Sequence, residues 1–370
     1  MKRCIFHYPS PIESKPGVGS ALRPYRMVDA FRQMGYQVDE VTGYSKERKE
    51  KIKQIKQNIK NGVRYEFVYA ENVNSPVAYA DADNVPRHPL MDCAFFKFCR
   101  KQGIPVGLFY RDVYWKFPIF KEATTPLKRM FLLPAFRWDL RRYNKCLDLM
   151  FLPTMRMGQY VLPDMPAKPL PPGGHVYEDV LQQKKDRIPV KDGILRVFYV
   201  GSLSSLYDNT KLFQAVQATP NVELTVCTPQ KQWEKMKDHY APYLCERIQI
   251  VHESGEQLIR RYVEADVSAY CLQKSEYLDF AMPIKVFEAI SYGTPLLVAD
   301  IHSISQFVQE QDIGWNTENT TESVAEMLQY LVSHPEEVAQ KTANVIDAVP
   351  RNTWPARAKT AAETLEGIRK

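Results

Sequence analysis

The sequence of 370 residues contains no apolar run long enough to cross a membrane. Its longest apolar runs, such as Met130–Leu133, fall far short of the ~20 residues that a transmembrane helix needs. The apolar stretch after Met1 is too short for a secretion signal, and we expect it to form a first β-strand. The protein is therefore expected to be soluble and to remain inside the cell.

Patterns for disulfides and metal sites are also absent. The seven cysteines include no Cys-x-x-Cys pair, and most lie in apolar stretches, as buried thiols do in a reducing compartment. The seven histidines show no metal-ligand spacing. Asp81-Ala82-Asp83 has the Asp-x-Asp form of some Mn²⁺ sites, but no buried aliphatic strand precedes it, which favours a solvated loop. We expect no metal and no other cofactor.

The sequence does contain an alternation of strand and helix patterns, which occurs twice. Short aliphatic or aromatic runs without polar alternation are typical of parallel strands that are covered on both faces. The predicted strands are residues 3–8, 37–42, 65–70, 105–110, 147–152, 195–200, 223–227, 248–251, 267–271 and 295–299. The pattern predicts an α/β protein with two doubly wound, Rossmann-like domains in series and an active site in the cleft between them.

A stretch rich in proline and glycine divides the two alternating regions. It predicts a first domain over 1–165, a linker over 166–192 and a second domain over 193–352. A helical pattern over 353–370 closes the chain.

The formal net charge of +6 is modest, but the basic residues concentrate in the first half. Residues 46–64 hold eight Lys or Arg, and a second basic stretch, Lys116–Lys145, is rich in aromatic residues. Such patterns suit an anionic membrane surface contacted by basic, aromatic helices. The alternative for each helix is an ordinary amphipathic helix whose apolar stripe, such as Ile52, Ile55 and Ile59, lies in the core. No nucleic-acid-binding motif accompanies these stretches, so we expect no nucleic-acid partner.

The most informative segment lies between residues 279 and 299. Pro283 stands where a helix begins, and the free N–H groups near Ile284, together with Lys285, suit a diphosphate. Glu288 lies one turn further on the same face, where its carboxylate suits the two hydroxyls of a ribose. The alternative is a plain helix, turn and strand with a solvated Lys285–Glu288 pair, and both interpretations stay open.

The string Pro-x-Lys-x-x-Glu-Ala-x-x-x-Gly-x-Pro in this segment resembles the signature of GT-B glycosyltransferases of the broad family-four-like superfamily. Other segments resemble the same family in the same order: residues 17–26, 34–38, 198–203, 262–267 and 353–358. The resemblance implies that the second domain binds a nucleotide sugar, that the first holds the acceptor, and that the final helix packs back on the first domain.

The chain departs from the family pattern at several positions. Retaining members carry Glu-x7-Glu, and here Glu288 matches the second glutamate while Phe280 stands in place of the first. A basic pair of many members falls at Ser202 and Tyr207. Lys285 is the expected substitute cation, with Arg23 or Arg26 adding a second charge. Retention and inversion of configuration therefore both stay open.

An inverting transfer needs a general base near the acceptor hydroxyl. Asp112 is the candidate because it follows the predicted strand 105–110, and α/β sites are built at carboxyl ends of strands. The alternative for Asp112 is a helix cap or an ion pair with Arg111. Glu71 and Asp92 are further candidates.

Several smaller features complete the predicted site. Gly201 and Ser202 would let a loop approach the phosphates, and Thr228 and His252, both at strand ends, would frame the base. Gly17 and Gly19 would let the backbone approach phosphate or acceptor, with a simple flexible turn as the alternative.

We therefore expect a metal-independent glycosyltransferase that moves a sugar from a nucleoside-diphosphate sugar to a hydroxyl of a lipid-linked or polysaccharide acceptor. Cell-surface glycan synthesis at the cytoplasmic face of a membrane is the expected setting. Two alternatives stay open: a GT-B-fold nucleotide-sugar epimerase, and a non-catalytic protein that binds nucleotide sugar or glycan as a partner.

Overall fold

The computed structural model describes residues 1–12, 19–161 and 164–368, and the chain divides into two compact units. The first unit comprises Met1–Pro172 and Trp354–Lys370, and the second comprises Gly173–Thr353. The last helix of the chain therefore lies in the first unit.

The first unit is built on a parallel sheet of six strands in the order β2-β1-β3-β4-β5-β6. The strands are β1 Arg3–Tyr8, β2 Gln37–Thr42, β3 Val68–Glu71, β4 Val106–Phe109, β5 Leu149–Leu152 and β6 Ala167–Pro169. The helices are α1 Gly19–Gln33, α2 Ser45–Lys60, α3 Met91–Lys101, α4 Pro118–Ala123, α5 Pro126–Cys146, α6 Gly158–Val161 and α15 Trp354–Glu366.

One face of this sheet packs against α1 and α15. Phe6 and Phe151 share a buried cluster with Met27 of α1 and Leu365 of α15. A Cβ atom at Gly107 in β4 would lie only 2.7 Å from Leu365 Cδ2 and 2.9 Å from a ring carbon of Phe151. The close approach of α15 to the sheet therefore depends on a glycine at this position.

The second unit is built on another parallel sheet of six strands, in the order β12-β11-β10-β7-β8-β9. The strands are β7 Leu195–Val200, β8 Val222–Cys227, β9 Ile248–Val251, β10 Val267–Tyr270, β11 Leu296–Ala299 and β12 Gly314–Thr317. The helices are α7 Glu178–Asp186, α8 Thr210–Ala218, α9 Gln230–Tyr240, α10 Glu256–Glu264, α11 Ile284–Ser291, α12 His302–Gln311, α13 Thr321–Ser333 and α14 Pro335–Ala348.

The strand order of the second sheet reverses between β7 and β10. The chain runs outward from β7 through β8 to β9 on one side, and from β10 through β11 to β12 on the other. In doubly wound sheets the connections diverge at such a point and leave a crevice outside the carboxyl ends of the two central strands. The residues that follow β7, β8, β9 and β10 are therefore the ones placed to contact a ligand.

Each sheet has one edge strand that the sequence patterns did not predict. β6 lies within 166–192 and pairs with β5, although it ends in a proline; proline is tolerated at a sheet edge because no partner needs its N–H. β12 is the other unpredicted strand. The range 166–192, predicted as a linker, also contains α7, whose Leu181 is buried in the core of the second unit.

The basic helix α2 does not expose its apolar stripe. Ile52 and Ile55 are 5% and 4% exposed, so they belong to the core of the first unit. Most aromatic residues of the stretch 115–143 are also buried, among them Trp115, Phe120 and Phe136. The amphipathic-helix interpretation therefore holds for α2, and none of the described helices is both long and apolar enough to span a bilayer.

Candidate functional site

The segment between β10 and β11 forms the helix start that its sequence predicts. Pro283 is the N-cap residue of α11, with φ −69° and ψ 143°, and the helix begins at Ile284. The first N–H groups of a helix have no helical acceptor and carry partial positive charge, which favours an anion there. Gly293 ends the turn after α11 at φ +70°, a conformation that glycine adopts without steric cost.

Lys285 and Glu288 form an ion pair in the first turns of α11. Lys285 Nζ donates to Glu288 Oε2 at 2.6 Å, and the two side chains are 36% and 28% exposed. The geometry is that of the plain Lys–Glu pair, so any ligand that uses both groups must replace this contact. Burial, and then the negative charge of Glu288, raise the pKa of Tyr270 in β10 well above its ordinary value, which places the carboxylate close to that buried ring.

The loop after β7 is held against the carboxyl ends of β7 and β8 by two hydrogen bonds. Gly201 N donates to Cys227 O at 3.1 Å, and Tyr199 Oη donates to Ser202 O at 2.7 Å. A Cβ atom at Gly201 would lie 2.8 Å from Tyr199 Oη. A side chain at position 201 would therefore require Tyr199 to shift, and the hydrogen bond from this tyrosine to Ser202 O holds the loop close to the strand ends.

The ends of β8 and β9 are joined by hydrogen bonds that involve the two residues predicted there, Thr228 and His252. Thr228 N donates to Val251 O at 3.1 Å, and His252 Nδ1 lies 2.7 Å from Thr228 O. Because a carbonyl oxygen only accepts, the proton of His252 in this contact is on Nδ1. The hydroxyl of Thr228 is buried and has no hydrogen-bond partner among the described residues.

A cavity of about 710 Å³ opens beside the loop after β7. Ser202 and Tyr207 line it, together with Asp208, Lys235 and His239. His239 Nε2 lies 3.5 Å from Asp208 Oδ1 across this cavity. Ser202 and Tyr207 stand where the family pattern has cations. They line the cavity with hydroxyl groups and add no positive charge.

In the first unit, Asp112 lies just beyond the end of β4. Its Oδ1 accepts from Tyr114 N at 2.9 Å, at the start of a short helical turn over Tyr114–Lys116. This contact is the helix cap that was the alternative to a catalytic base at Asp112. The side chain is half-buried.

Arg23 is part of a buried network around Glu71, at the end of β3. Arg23 Nε donates to Glu71 Oε1 at 3.1 Å, and the guanidinium lies 3.5 Å from the ring centre of Phe109. Tyr69 Oη also donates to Glu71 Oε1, at 2.9 Å, and Arg111 lies 3.5 Å from Glu71 Oε2. Arg23 is therefore held as a structural partner of Glu71, and Glu71 is fully buried.

The other residues of the first unit that were predicted to contact phosphate or acceptor are Arg26, Gly17 and Gly19. Arg26 is half-buried and lies 5.6 Å from the ring centre of Tyr25. Gly19 is the first residue of α1, whereas Gly17 lies outside the described residues.

Asp92 forms a second buried network with His7 and Arg48. Its carboxylate lies 2.8 Å from His7 Nε2 and accepts two hydrogen bonds of 3.0 Å from the Arg48 guanidinium. Burial alone would raise the pKa of Asp92, but His7 and then Arg48 hold it well below its usual range. Such a carboxylate is a poor proton acceptor, which argues against a catalytic base at Asp92.

The Asp81-Ala82-Asp83 segment is occupied by local contacts. Asp81 accepts from Ser45 N at 2.7 Å, and Asp83 pairs with Arg87 at 2.7 Å. Within the described part of the chain, no three His, Cys, Asp or Glu residues are grouped so as to hold a metal ion.

Residues 182–347, which make up most of the second unit, match the family model described as glycosyl transferases group 1. This part of the second unit is similar to group 1 glycosyl transferases. This match confirms the predicted family resemblance and the predicted enzyme class. The sequence comparison with curated proteins gave no match.

Solved structures with a similar fold cover nearly the whole length of this chain. Sucrose-phosphate synthase from Thermosynechococcus elongatus is 12% identical, over 99% of each chain, with a TM-score of 0.63. HepE from Anabaena in complex with UDP is 12% identical, over 99% of this chain and 100% of that chain, with a TM-score of 0.61. A trehalose-6-phosphate structure from E. coli, bound with UDP-2-fluoro glucose, is 10% identical, over 98% and 99%, with a TM-score of 0.61. The predicted α/β fold with two Rossmann-like domains is confirmed.

Phe280 shows how the second unit accommodates its departure from the Glu-x7-Glu pattern. The phenylalanine is 3% exposed in a short helical turn, Leu278–Phe280, and its ring centre lies 5.5 Å from that of Tyr277. The position is therefore filled by a packed apolar side chain.

The sequence patterns did not point to a cation of the second unit, Arg261 of α10. Its guanidinium donates to both carboxylate oxygens of Glu253, at 2.9 and 2.8 Å. Burial raises the pKa of the Cys227 thiol at the end of β8, and the charges of Lys285 and Arg261 act in the opposite direction. Both cations therefore lie near this strand end. No motif spacing links Arg261 to the site, because its place follows only from how α10 packs.

Proposed function

We propose that this glycosyl transferase moves a sugar from a nucleoside-diphosphate sugar to a hydroxyl of a lipid-linked or polysaccharide acceptor, without a metal ion. Cell-surface glycan synthesis is the proposed setting. The observation that carries the proposal is the half-exposed Lys285–Glu288 pair in the first turns of α11, at the carboxyl edge of the second sheet.

The donor is proposed to bind along this edge. Lys285 and the free N–H groups at the start of α11 would hold the diphosphate, and Glu288 would accept hydrogen bonds from the ribose hydroxyls. The donor would thereby replace the Lys285–Glu288 contact with a cation–phosphate contact and a carboxylate–hydroxyl contact. Gly201 and Ser202 would allow the loop to approach the phosphates, while Thr228 and His252 would frame the base. UDP is the first nucleotide to test because HepE from Anabaena was solved with UDP and with UDP-glucose.

The proposed chemistry places positive charge where the leaving group forms. As the bond between the anomeric carbon and the diphosphate oxygen breaks, negative charge grows on the diphosphate, and Lys285 stabilises it. Asp112 is proposed to accept the proton of the attacking hydroxyl in an inverting transfer. The buried Phe280, in place of the first glutamate of retaining members, supports inversion. Measuring the anomeric configuration of the product tests this part.

The membrane part of the proposal rests on the first domain. We place the protein at the cytoplasmic face of a membrane, where a lipid-linked acceptor would be presented. The support is the basic surface of α4 and α5, since the apolar stripe of α2 is buried.

The first experiment is thermal unfolding of the full chain against nucleoside diphosphates and nucleotide sugars without added metal. One base series should raise the melting temperature, because a ligand that binds only the native state stabilises it. The rise should be lost in Lys285→Ala and in Glu288→Ala.

The matched control is Lys237→Ala. Lys237 forms the same type of i,i+3 pair with Glu234, at 2.8 Å, on the exposed surface of α9. This variant should keep the ligand-induced rise. No rise with any nucleotide at millimolar concentration would overturn the proposed donor site and favour the non-catalytic alternative.

A further inference from the structure

A basic cavity in the first unit lies outside every site described above. It has a volume of about 900 Å³ and opens between the turn Tyr114–Lys116, α4 and α5. None of the described residues that line it is acidic. Its five cations are Lys116, Lys121, Arg129, Arg137 and Arg141.

The positive charge of the cavity is only partly engaged by the protein. Arg129 donates to the carbonyl oxygens of Thr124 and Lys121, at 2.5 and 3.0 Å, which fixes its guanidinium at the cavity wall. Lys121, Arg137 and Arg141 are exposed and form no ion pair with a described residue. Like charges held together without anions repel one another, so the cavity is suited to an anionic ligand.

Lys116 of the same cavity has a lowered pKa, and a neighbouring cation is one of its two causes. Burial, and then the charge of Arg137, lower it from its ordinary value. A bound anion would relieve this repulsion.

An exposed apolar cluster stands next to the cavity. Leu127, Met130 and Phe131, on α5, are 65%, 60% and 54% exposed. Their i, i+3, i+4 spacing places them on one face of the helix, around the turn that carries Arg129. Large apolar side chains beside cations are the arrangement found where a helix lies at the boundary between lipid headgroups and acyl chains.

A separate aromatic cluster packs together the elements that carry this surface. Trp115 stacks on Phe136 of α5 with ring centres 5.0 Å apart and planes 3° apart, and Phe120 of α4 packs against the same ring. The buried aromatic residues of this stretch thus position α4 and α5, whereas Leu127, Met130 and Phe131 are mostly exposed.

We propose that the cavity binds the phosphate headgroup of an anionic membrane phospholipid, while Leu127, Met130 and Phe131 insert among the acyl chains. The inference rests on the membrane part of the proposed function and needs no property of the donor site. Phosphate oxygens match the Lys and Arg donors of the cavity, and the apolar cluster beside it matches the adjoining acyl layer.

The test is flotation of the full chain with vesicles of phosphatidylcholine and phosphatidylglycerol in equal parts, and with vesicles of phosphatidylcholine alone. The protein should float with the anionic vesicles and lose this binding at high salt. Arg137→Glu with Arg141→Glu should lower the partition about 20-fold or more, because each basic group near an anionic surface contributes roughly fivefold. Met130→Ser with Phe131→Ser should lower it about tenfold through lost apolar burial.

The control is Lys53→Glu with Lys60→Glu on α2, which makes the same change in net charge on exposed residues elsewhere in the first unit. This variant should bind anionic vesicles nearly as well as the unchanged protein. Equal loss in the control and in the Arg137/Arg141 variant would overturn the proposal, since binding would then follow net charge alone.

A soluble anion is the other possible source of phosphate. If inorganic phosphate raises the melting temperature only when Arg137 and Arg141 are present, and anionic vesicles do not bind, the cavity takes a free anion and the membrane proposal is overturned. The nucleotide-induced rise in melting temperature is measured on the same variants. A variant that keeps this rise and loses vesicle binding separates the membrane proposal from the donor site.

Discussion

Each unit of this protein carries an ion pair at or just beyond the carboxyl edge of its sheet, and the two pairs differ in burial. Arg23 and Glu71 in the first unit are 4% and 0% exposed, whereas Lys285 and Glu288 in the second are 36% and 28% exposed. Arg23 and Glu71 also have Tyr69 and Phe109 around them. The buried pair is part of the fold, and the half-exposed pair remains accessible to a ligand.

The physical reason for this difference is the cost of removing charge from water. Breaking a buried pair leaves an uncompensated charge in the interior, whereas an exposed pair is screened by solvent and contributes little to stability. The two pairs, each a cation and a carboxylate near a strand end, are therefore expected to differ in how much a substitution lowers the free energy of unfolding.

The largest expected effect is on stability at Glu71. Glu71→Ala should lower the free energy of unfolding by about 3–5 kcal/mol, because Arg23 would be left buried without its carboxylate. Glu288→Ala should lower it by less than about 1 kcal/mol. Urea unfolding followed by circular dichroism measures both, and equal losses would contradict the distinction drawn from burial.

The next effect is on turnover at Lys285. Lys285→Ala should lower the rate of sugar transfer on the order of 100-fold, as expected when one group that stabilises developing negative charge is removed. Its free energy of unfolding should stay within about 0.5 kcal/mol of the unchanged protein. Single-turnover assays with the donor identified by thermal unfolding measure this, with Lys237→Ala as the control. A rate unchanged at saturating donor would remove Lys285 from the proposed mechanism.

The smallest expected effect is a pH dependence of stability caused by Asp139. Unlike Glu71, this buried carboxylate forms no ion pair with a described residue. Burial raises the pKa of Asp139 from its ordinary value of 3.8 to about 7, although its Oδ2 accepts from Val77 N at 2.8 Å. The folded protein therefore binds this proton more tightly than the unfolded chain does. The stabilisation from this bound proton is fully present below pH 3.8, and it is lost as the pH rises from 3.8 to about 7.

Asp139→Asn should remove this dependence, because the amide keeps an oxygen for Val77 N and does not ionise. Relative to the unchanged protein, the variant should gain stability as the pH rises from about 4 to about 8. Urea unfolding at a series of pH values measures the difference. Asp238→Asn, at an exposed position in α9, is the control and should show no such gain. A difference between Asp139→Asn and the unchanged protein that does not vary with pH would contradict the raised pKa.

Much of the fold was predictable from local patterns. Buried aliphatic runs located ten of the twelve strands to within a few residues, and the two missed strands, β6 and β12, are short edge strands. Edge strands such as Gly314–Thr317 have a weaker pattern because one side is open to solvent and fewer of their residues are buried.

The candidate site was predictable where a motif is contiguous and was missed where it is assembled by packing. Pro283, Lys285 and Glu288 are neighbours on one helix, so their spacing alone places them together. The ion pair of Arg261 with Glu253, eight residues earlier, matches no motif of the family pattern. The Arg23 side chain is buried because β3 brings Glu71, 48 residues away, to it, and such a distant contact leaves no local spacing.

The sequence by itself determined the α/β alternation, the position of the helix start at Pro283 and the family resemblance of residues 182–347, because these depend on residues close together in the chain. The tertiary structure decided which charged side chains are exposed and can contact a ligand. It buried Arg23 against Glu71, 48 residues away, and left Arg137 and Arg141 exposed on the rim of a cavity. Exposure depends on which strands and helices become neighbours, and strand order joins segments that local periodicity cannot connect.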